Sequence, residues 1–436
     1  MKILTILIPK LKPPFVDDVV NFQMENIINK LKENFNIKVV WVVFGPNKIQ
    51  EIKEISYDVL DYHNYTDAIE ILDKINPDLI LIEGIFGMTG ITFIKSARFK
   101  KIPITTIFPP GISPYAKSST GVQRRLHLIF SKKILGSTEK NLQNPKLGML
   151  KYFLKRYNFL LKTLNRVNYN LFDIFKFIMF YPASQIFSRQ VESIHPICSG
   201  DLNFVSTPIL QQFLVGLGYD PKTIFVTGDP SFDHTILKIQ HFQSVKKTQK
   251  KEIIDNDNKF KILFCTSPMH EHGAWTKKQE DSLILNTINE ISNSHNSKIS
   301  LKIHPTSSIK SEYEQLLQKT ICDVSLFQKE DLLELIDSND LMIVYGASSV
   351  VLCGILLKKP IVMLNLKNYP SQYNFFLDKN TMSICETMSQ LSSIITDSLS
   401  TKISNDMYDD YLQNQLGCND GKSSERIAQI ITSIFK

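Results

Sequence analysis

Short runs of aliphatic and β-branched residues alternate along the chain with longer segments in which apolar positions recur at helical spacing. The short runs predict strands at 2–9, 37–44, 78–83, 103–108, 202–206, 223–227, 260–266, 298–303, 341–345 and 359–364. Helical spacing falls between them, for example at 16–34, 66–75, 277–294, 309–319 and 347–357. Strands that are apolar on both faces and separated by helices are typical of parallel sheets built from βαβ units.

The strand–helix series occurs twice, once before about residue 200 and once after about residue 255. A chain of 436 residues is long enough for about two domains. We therefore predict an α/β fold with two Rossmann-like, doubly wound domains that face each other across a cleft. The predicted N-terminal domain spans 1–228 and the C-terminal domain 229–415, and we expect 416–436 to form a helix that packs back on the N-terminal domain.

Two segments depart from this alternation. Residues 246–258 are polar and lysine-rich, which predicts a solvated loop. Residues 117–185 are rich in Lys, Arg, Leu, Phe and Tyr, and Glu139 is their only acid before Asp173. This second segment has two interpretations: an amphipathic helical excursion packed on the first domain, or a basic-aromatic face that contacts an anionic membrane or a lipid-linked acceptor.

Composition narrows the class of protein. Hydrophobic residues make up 43% and charged residues 21%, as in soluble globular enzymes. The net charge of +7 suits an anionic ligand or surface and does not demand nucleic acid. The six cysteines are scattered without a C-x-x-C pair, which predicts reduced core residues and neither a disulfide framework nor a zinc site.

The apolar start of the chain predicts a buried strand and not a signal peptide, because the run is short and lacks a small-residue cleavage site. No run approaches the roughly 18 apolar residues that a transmembrane helix needs. We expect a cytoplasmic protein, which the basic segment could hold at the inner face of the membrane as a peripheral protein.

The clearest candidate for chemistry is the end of a predicted strand, in the sequence Leu-Lys-Ile-His-Pro-Thr-Ser-Ser at 301–308. Parallel sheets bind ligands beyond the carboxyl ends of their strands, where His304 lies. Its imidazole can donate to a phosphate and titrates near neutral pH. Pro305 lacks an N–H group and ends the strand, and Ser307 lies at the start of the following helix. The alternative is a strand-end histidine with a serine cap and no ligand.

A second candidate follows the strand at 341–345. Gly346 and Ala347 allow the backbone to approach a ligand closely, and Ser348 and Ser349 place hydroxyl and N–H groups at the start of a helix. Such a turn can bind an anion. An ordinary serine N-cap is the other interpretation.

The loop after the first strand of the second domain is predicted to contact the substrate. Its polar residues are Thr266, Ser267, His270, Glu271, His272 and Gly273. Two histidines at i and i+2 in a loop between Pro and Gly are not a metal signature.

In the first domain, a buried strand ends at Glu83 and is followed by a glycine-rich turn from Gly84 to Gly90. A carboxylate at a strand end that faces a cleft can act as a general base. The alternative is a cap for the next helix.

Taken in order, these pieces resemble the two-Rossmann-domain (GT-B) glycosyltransferases, especially the branch that uses CMP- or CDP-activated donors. That branch includes sialyl- and polysialyltransferases, Kdo transferases of capsule synthesis and CDP-glycerol glycerophosphotransferases. The resemblance rests on a strand ending in Lys-x-His-Pro at Lys302–Pro305 and on a Ser-Ser-Val turn, apolar helix and Lys-Pro-Ile strand at Ser348–Val362. Cys353 stands where many relatives carry an acid that binds the ribose.

The resemblance implies an inverting transfer that needs no metal and no cofactor besides the nucleotide-sugar substrate. His304, Ser348 and Ser349 would stabilise the leaving phosphate. Glu83 would deprotonate a hydroxyl of a glycan or lipid-linked acceptor, as in polysaccharide biosynthesis. The sequence is also similar to UDP-GlcNAc 2-epimerases, particularly in the turn at 227–233, and an epimerase of this kind is the alternative function.

Overall fold

The structure is a computed structural model and describes residues 3–10, 19–43, 58–83, 88–108, 145–169, 199–248, 259–270, 275–305, 309–346, 349–367, 369 and 376–435. The chain forms two compact units. Unit 1 comprises Met1–Asp233 and Leu416–Lys436, and unit 2 comprises His234–Gln415. From the sequence we placed the boundaries after residues 228 and 415.

Unit 1 is built around a parallel sheet of seven strands. Its strands are β1 (Ile3–Lys10), β2 (Asn36–Val43), β3 (Asp58–Asp61), β4 (Leu79–Glu83), β5 (Ile104–Ile107), β6 (Leu202–Val205) and β7 (Ile224–Val226). Its helices are α1 (Val19–Leu31), α2 (Ala68–Ile75), α3 (Met88–Lys100), α4 (Pro145–Arg166) and α5 (Pro208–Gly216). The strand order is β3-β2-β1-β4-β5-β6-β7, so the winding direction reverses between β1 and β4.

Both faces of this sheet are buried, because the strands carry apolar residues on alternating sides. One face, with Leu7, Val42 and Ile80, packs against α2, α3 and α4. The opposite face, with Ile6 and Trp41, packs against α1 and the last helix of the chain.

The last helix, α13 (Ser423–Phe435), belongs to unit 1. Ile427 and Ile431 are fully buried in the same apolar cluster as Ile27 and Ile28 of α1. Hydrophobic contact with α1 and the sheet therefore fixes this C-terminal segment.

The described part of the basic segment is the helix α4, and it packs on unit 1. Phe159, Leu160 and Leu164 are buried in the core on the α2–α3 side of the sheet. Arg166 pairs with Asp67 at 3.0 Å, which ties the end of α4 to the cap of α2. The remaining parts of 117–185 lie outside the described residues.

Unit 2 contains a parallel sheet of six strands. They are β8 (Phe260–Cys265), β9 (Ser297–Lys302), β10 (Val324–Phe327), β11 (Leu341–Tyr345), β12 (Ile361–Leu364) and β13 (Ser383–Cys385). Its helices are α6 (Asp233–Thr248), α7 (Lys277–Ser294), α8 (Lys310–Leu317), α9 (Leu332–Ser338), α10 (Val350–Leu356), α11 (Leu391–Ser400) and α12 (Asn405–Leu416). The strand order is β10-β9-β8-β11-β12-β13, with the reversal between β8 and β11.

Two expectations from the sequence are corrected by these elements. Helix α3 begins at Met88, so the glycine-rich turn that we predicted to reach Gly90 ends earlier. Helix α6 continues to Thr248, so the predicted loop at 246–258 begins as helix, and residues 249–258 lie outside the described residues.

Candidate functional site

Three of the predicted motifs follow strands that end at the carboxyl edge of the unit 2 sheet. Cys265 at the end of β8 pairs with Lys302 at the end of β9 and lies beside Val344 near the end of β11. The loops that carry Thr266, Ser267, His304 and Gly346 therefore leave the sheet at the same edge. This edge contains the point between β8 and β11 where an open α/β sheet binds its ligands.

The arrangement differs in one respect from our expectation that His304 and the serines leave from neighbouring strands. The end of β8 lies between β9 and β11. Strands are spaced by about 4.8 Å, so the ends of β9 and β11 are roughly 10 Å apart. A single phosphate cannot touch both strand ends without the loops converging, whereas an extended diphosphate can approach both.

The turn after β11 is held tightly to the loop after β8. The Ser267 hydroxyl donates to the Tyr345 carbonyl at 2.6 Å. Gly346 has φ of +70°, and a Cβ atom there would lie 3.0 Å from Met269 Sδ and 3.3 Å from Ser267 Cβ. Glycine is favoured at 346 by the left-handed backbone and by this close packing, and the residue is buried against the loop after β8, so the open approach for a ligand that we expected at Gly346 is not found.

Of the residues predicted at the phosphate site that lie within the described ranges, His304, Pro305 and Ser349 retain contact with solvent. His304 is half-buried, and its carbonyl accepts from Gln328 Nε2 at 3.4 Å. Ser349 is exposed, and its side chain makes no capping hydrogen bond to α10. The absence of that bond removes the main argument for an ordinary N-cap at Ser349.

The other predicted residues of the unit 2 site differ in exposure, and some of them lie outside the described residues. Pro305 is described and exposed, whereas Thr266 and Ser267 are buried beneath the edge. The predicted residues that lie outside the described part of the chain are Glu271, His272, Gly273, Ser307 and Ser348.

Glu280 on α7 supports the candidate site and was not predicted from the sequence. Its side chain is fully buried, and Oε1 accepts from the Met269 N–H at 3.2 Å and from the Tyr345 hydroxyl at 3.3 Å. The His270 N–H points to the same oxygen at 3.5 Å. Glu280 therefore holds the loop after β8 against the end of β11. The sequence offered only a weak signal, since Glu280 lies in the first turns of a capped helix, where acids are common.

Aromatic side chains also pack next to the loop after β8. Trp275 stacks on Tyr345 with ring centroids 5.4 Å apart, and Tyr369 meets Trp275 edge-on at 5.4 Å. Such contacts fix ring positions as well as burying apolar area. The loop that begins at Thr266 thus has a rigid base.

Cys265 and Cys353 lie on the other face of the sheet near the same edge, and both thiols are free and buried. Cys353, at the position where the expected resemblance implied a ribose-binding acid, is on the buried side of α10. Burial raises the pKa of each thiol from 9.0 to about 12. Both are therefore neutral packing residues at physiological pH and not nucleophiles.

The raised thiol pKa values predict that unit 2 loses stability in alkali. A buried thiol stays protonated in the folded state while the unfolded chain loses its proton above pH 9, so the free energy of unfolding falls as pH rises. Each thiol contributes a loss of about 1.4 kcal/mol at pH 10. We expect Cys265→Ala to reduce the decline between pH 8 and pH 10 by about that amount, measured in a Trp41→Phe background by denaturant unfolding followed through Trp275 fluorescence. Cys353→Ala, which removes the other thiol with a raised pKa, should reduce the decline by a similar amount, and an unchanged slope in both variants would contradict this assignment.

In unit 1, Glu83 is placed where the sequence predicted, at the carboxyl end of β4. The side chain is half-buried, and β4 lies between β1 and β5. This is the reversal point of the unit 1 sheet, which is the preferred ligand position in such folds. Gly84 and the next three residues lie outside the described residues.

Unit 1 also contains a buried pair of an acid and a histidine that was not predicted from the sequence. Asp61 at the end of β3 lies 2.6 Å from His63 Nδ1, and both side chains are almost completely buried. Asp61 Oδ1 also accepts from the His63 N–H at 2.8 Å. The pair stabilises the short turn after β3, which lies two strands away from β1 in the sheet.

Two searches of the described residues gave negative results. No group of three or more His, Cys, Asp or Glu side chains is arranged there to bind a metal ion. None of the helices in the described ranges has the length and apolar character needed to cross a membrane.

Comparison with known structures defines the class of the fold. UDP-GlcNAc 2-epimerase from Methanocaldococcus jannaschii superimposes with a TM-score of 0.53 at 15% identity, covering 99% of each chain. The Neisseria meningitidis UDP-GlcNAc 2-epimerase bound to UDP-GlcNAc gives a TM-score of 0.54 at 13% identity, and the alignment covers 99% of this chain and 100% of that one. The glycotransferase of kitacinnamycin gives 0.50 at 9% identity over 98% of both chains. Two Rossmann-like units of this kind are the GT-B fold.

The family follows from the sequence. The model of the UDP-N-acetylglucosamine 2-epimerase family matches residues 197–432. That range covers more than half of the chain, so the chain belongs to the UDP-N-acetylglucosamine 2-epimerase family. A search of curated proteins gave no match. The family is named for a UDP-linked sugar, and nothing in these comparisons supports the CMP- or CDP-donor branch that Lys302–Pro305 and Ser348–Val362 led us to expect.

Proposed function

We propose that the protein binds a UDP-linked N-acetylhexosamine through unit 2 and inverts the configuration at C2 of its sugar, as a 2-epimerase does. The family match over 197–432 supports this proposal, because it spans the whole of unit 2, including the edge that carries His304 and Ser349. The solved relatives include enzymes described with UDP-GlcNAc or UDP bound.

The chemistry assigns distinct tasks to the site. Inversion requires the C2–H bond to break, yet no carbonyl adjoins C2 to acidify that proton. Departure of the diphosphate from C1 creates positive character at C1, which makes the C2 proton removable. Loss of both leaves a double bond between C1 and C2, and inversion is complete when the diphosphate adds back to C1 and a proton is delivered to the opposite face of C2. A site for this reaction must therefore stabilise the leaving diphosphate and supply a base.

The residues at the unit 2 edge suit the first task. The half-buried His304, the exposed Ser349 and the turn at Gly346 all follow strands at the edge that contains the point between β8 and β11. Fixed donors that face developing charge lower a barrier more than flexible ones. For the second task we propose Glu83, a half-buried carboxyl at the reversal point of the unit 1 sheet.

Glycosyl transfer to a glycan or lipid-linked acceptor is the second candidate. The Lys-x-His-Pro strand end at Lys302–Pro305 favours it. The exposed side of α4 adds Leu154, Lys155 and Lys162, a combination suited to an anionic membrane surface. Peripheral membrane binding remains a prediction of this candidate.

Nucleotide binding tests the proposal directly. At a UDP concentration of about 100 times its Kd, mass action stabilises the native state by about 2.7 kcal/mol. In domains of this size we expect a rise in Tm of roughly 5–10 °C. CMP, CDP and GDP should shift the Tm less. His304→Ala should abolish most of the UDP shift, while His241→Ala, an exposed histidine on α6, should leave it unchanged.

Turnover then separates the two candidates. UDP-GlcNAc incubated alone should yield its C2 epimer, detected by proton NMR, with exchange of the C2 hydrogen in deuterated water. Consumption that depends on an added acceptor, without C2 exchange, would favour glycosyl transfer. A larger thermal shift with CMP than with UDP, or a UDP shift that survives His304→Ala, would contradict the assignment of the site.

A further inference from the structure

Lys302 is a buried lysine at the carboxyl end of β9, and its side chain is only 8% exposed. It lies on the sheet face of Cys265 and two residues before His304. Lysine is rarely buried without a charged partner, because removing an ammonium group from water is costly. Burial lowers the pKa of Lys302, as expected for an amine that has lost water.

The partner of Lys302 is a carbonyl group and not a carboxylate. Within the described residues its ammonium donates to the Gln328 carbonyl, in the loop after β10. The Gln328 side chain in turn donates to the His304 carbonyl at 3.4 Å. Both carbonyl groups therefore accept hydrogen bonds, and no carboxylate in the described part of the chain forms an ion pair with Lys302.

The surrounding charges do not cancel it. Among the described residues, the carboxylates of Glu330 and Asp331 raise the pKa of Lys302, but burial lowers that pKa by more. Asp331 is paired with Lys238 of α6, and Glu330 is an exposed side chain that accepts from the Gln328 N–H at 2.6 Å. The neighbouring thiols of Cys265 and Cys353 are neutral.

We propose that the Lys302 ammonium supplies the fixed positive charge that attracts the diphosphate of the nucleotide to the edge carrying His304. This inference rests on the proposed function, and it adds a binding charge that acts through the field and through the position of the His304 loop. A purely structural role would need only a group that fills the space and caps the Gln328 carbonyl. A charge, in contrast, must favour ligands in proportion to their own negative charge.

A series of ligands with increasing charge provides the test. Binding of uridine, UMP and UDP is measured by calorimetry at pH 7.5 on wild type, Lys302→Met and Lys302→Arg. A unit charge about 10 Å from a phosphate in a partly buried site changes affinity by about tenfold. We expect Lys302→Met to lower the affinity for UDP by about tenfold or more and the affinity for uridine by under twofold. The loss of affinity for UMP should lie between these two values. Lys302→Arg, which keeps the charge, should restore UDP binding to within about threefold.

A pH titration of the wild-type protein gives a second test that needs no variant. As pH rises through the lowered pKa of Lys302 the charge disappears, so UDP affinity should fall between pH 7.5 and pH 10. The phosphates are already ionised at pH 7.5. The base is common to UDP and uridine, so the ratio of their affinities isolates the effect of charge.

The outcomes distinguish this inference from the function on which it rests. If wild type fails to bind UDP, the proposed function is wrong. Suppose instead that wild type binds UDP. If Lys302→Met then lowers the affinities for uridine and UDP equally, or changes neither affinity, the charge role is overturned and the function stands. Should Lys302→Met not fold, a UDP-to-uridine affinity ratio that stays constant with pH would overturn the charge role by itself.

Discussion

Replacing Gly417 by alanine should destabilise unit 1 by about 4 kcal/mol or more, the largest effect of any single substitution proposed for this protein. A Cβ atom at this position would lie 1.8 Å from the Ser206 carbonyl oxygen, well inside contact distance. The backbone φ of +77° adds strain for any residue other than glycine. The atoms that this Cβ would meet, in Ser206 and Thr207, all belong to the backbone, so no side-chain rotation relieves the clash.

The protein contains a convenient reporter for this measurement. Its two tryptophans are divided between the units, with Trp41 in unit 1 and Trp275 in unit 2. In a Trp275→Phe background, denaturant unfolding followed by fluorescence reports on unit 1 alone. Gly216→Ala is the matched control, since nothing lies within 4 Å of a Cβ atom there, at the end of α5. It should be neutral or slightly stabilising. If Gly417→Ala lowers the free energy of unfolding by less than about 1 kcal/mol, the close approach of Gly417 to the Ser206 carbonyl is contradicted.

Asp233→Ala should cost unit 1 about 3 kcal/mol. The Asp233 carboxylate accepts from the Ser423 N–H at 3.0 Å and from the Ser424 N–H at 2.7 Å, and it is buried. These are the first donors of α13, which the helix itself cannot satisfy. Charged hydrogen bonds contribute about 1.5–3 kcal/mol each, and alanine leaves both donors buried without a partner.

The same Trp41 fluorescence measures this loss, and hydrogen exchange along α13 locates it. Asp220→Ala is the control, because Asp220 caps an exposed turn through a single bond to the Lys222 N–H at 3.0 Å. We expect that change to cost under about 1 kcal/mol. Equal losses for the two variants, or unchanged exchange in α13, would mean that the Asp233 cap does not hold the C-terminal helix.

The long apolar strands were predictable because burial on both faces leaves an unbroken hydrophobic run. The prediction of two parallel α/β domains is confirmed for this reason, with strands such as β1 and β11 within a residue or so of their expected bounds. The strands that we missed are β3, β10 and β13, which have four, four and three residues. Strands at the border of a sheet are short and partly exposed, so a sequence such as Val-Ser-Leu-Phe gives little signal.

The site was predictable only where a residue follows directly from a strand end. His304, Gly346 and Glu83 fall at the carboxyl edges of their sheets as expected, because parallel topology alone fixes that placement. Glu280 could not be predicted, since its role depends on Met269 and Tyr345 being brought to it by tertiary structure. Lys302 was part of a recognised motif, but its burial against Gln328 depends on β10, a strand that the sequence did not reveal.

The division of unit 1 into two chain segments has a consequence for its biosynthesis. Residues 234–415 must leave the ribosome before Leu416–Lys436 does. At about 5–20 residues per second, roughly ten to forty seconds pass while the seven-stranded sheet lacks α13 over one face. Throughout that interval Ile6, Trp41 and their neighbours remain partly uncovered on the nascent chain, so truncated or stalled products should be prone to aggregation and to capture by chaperones.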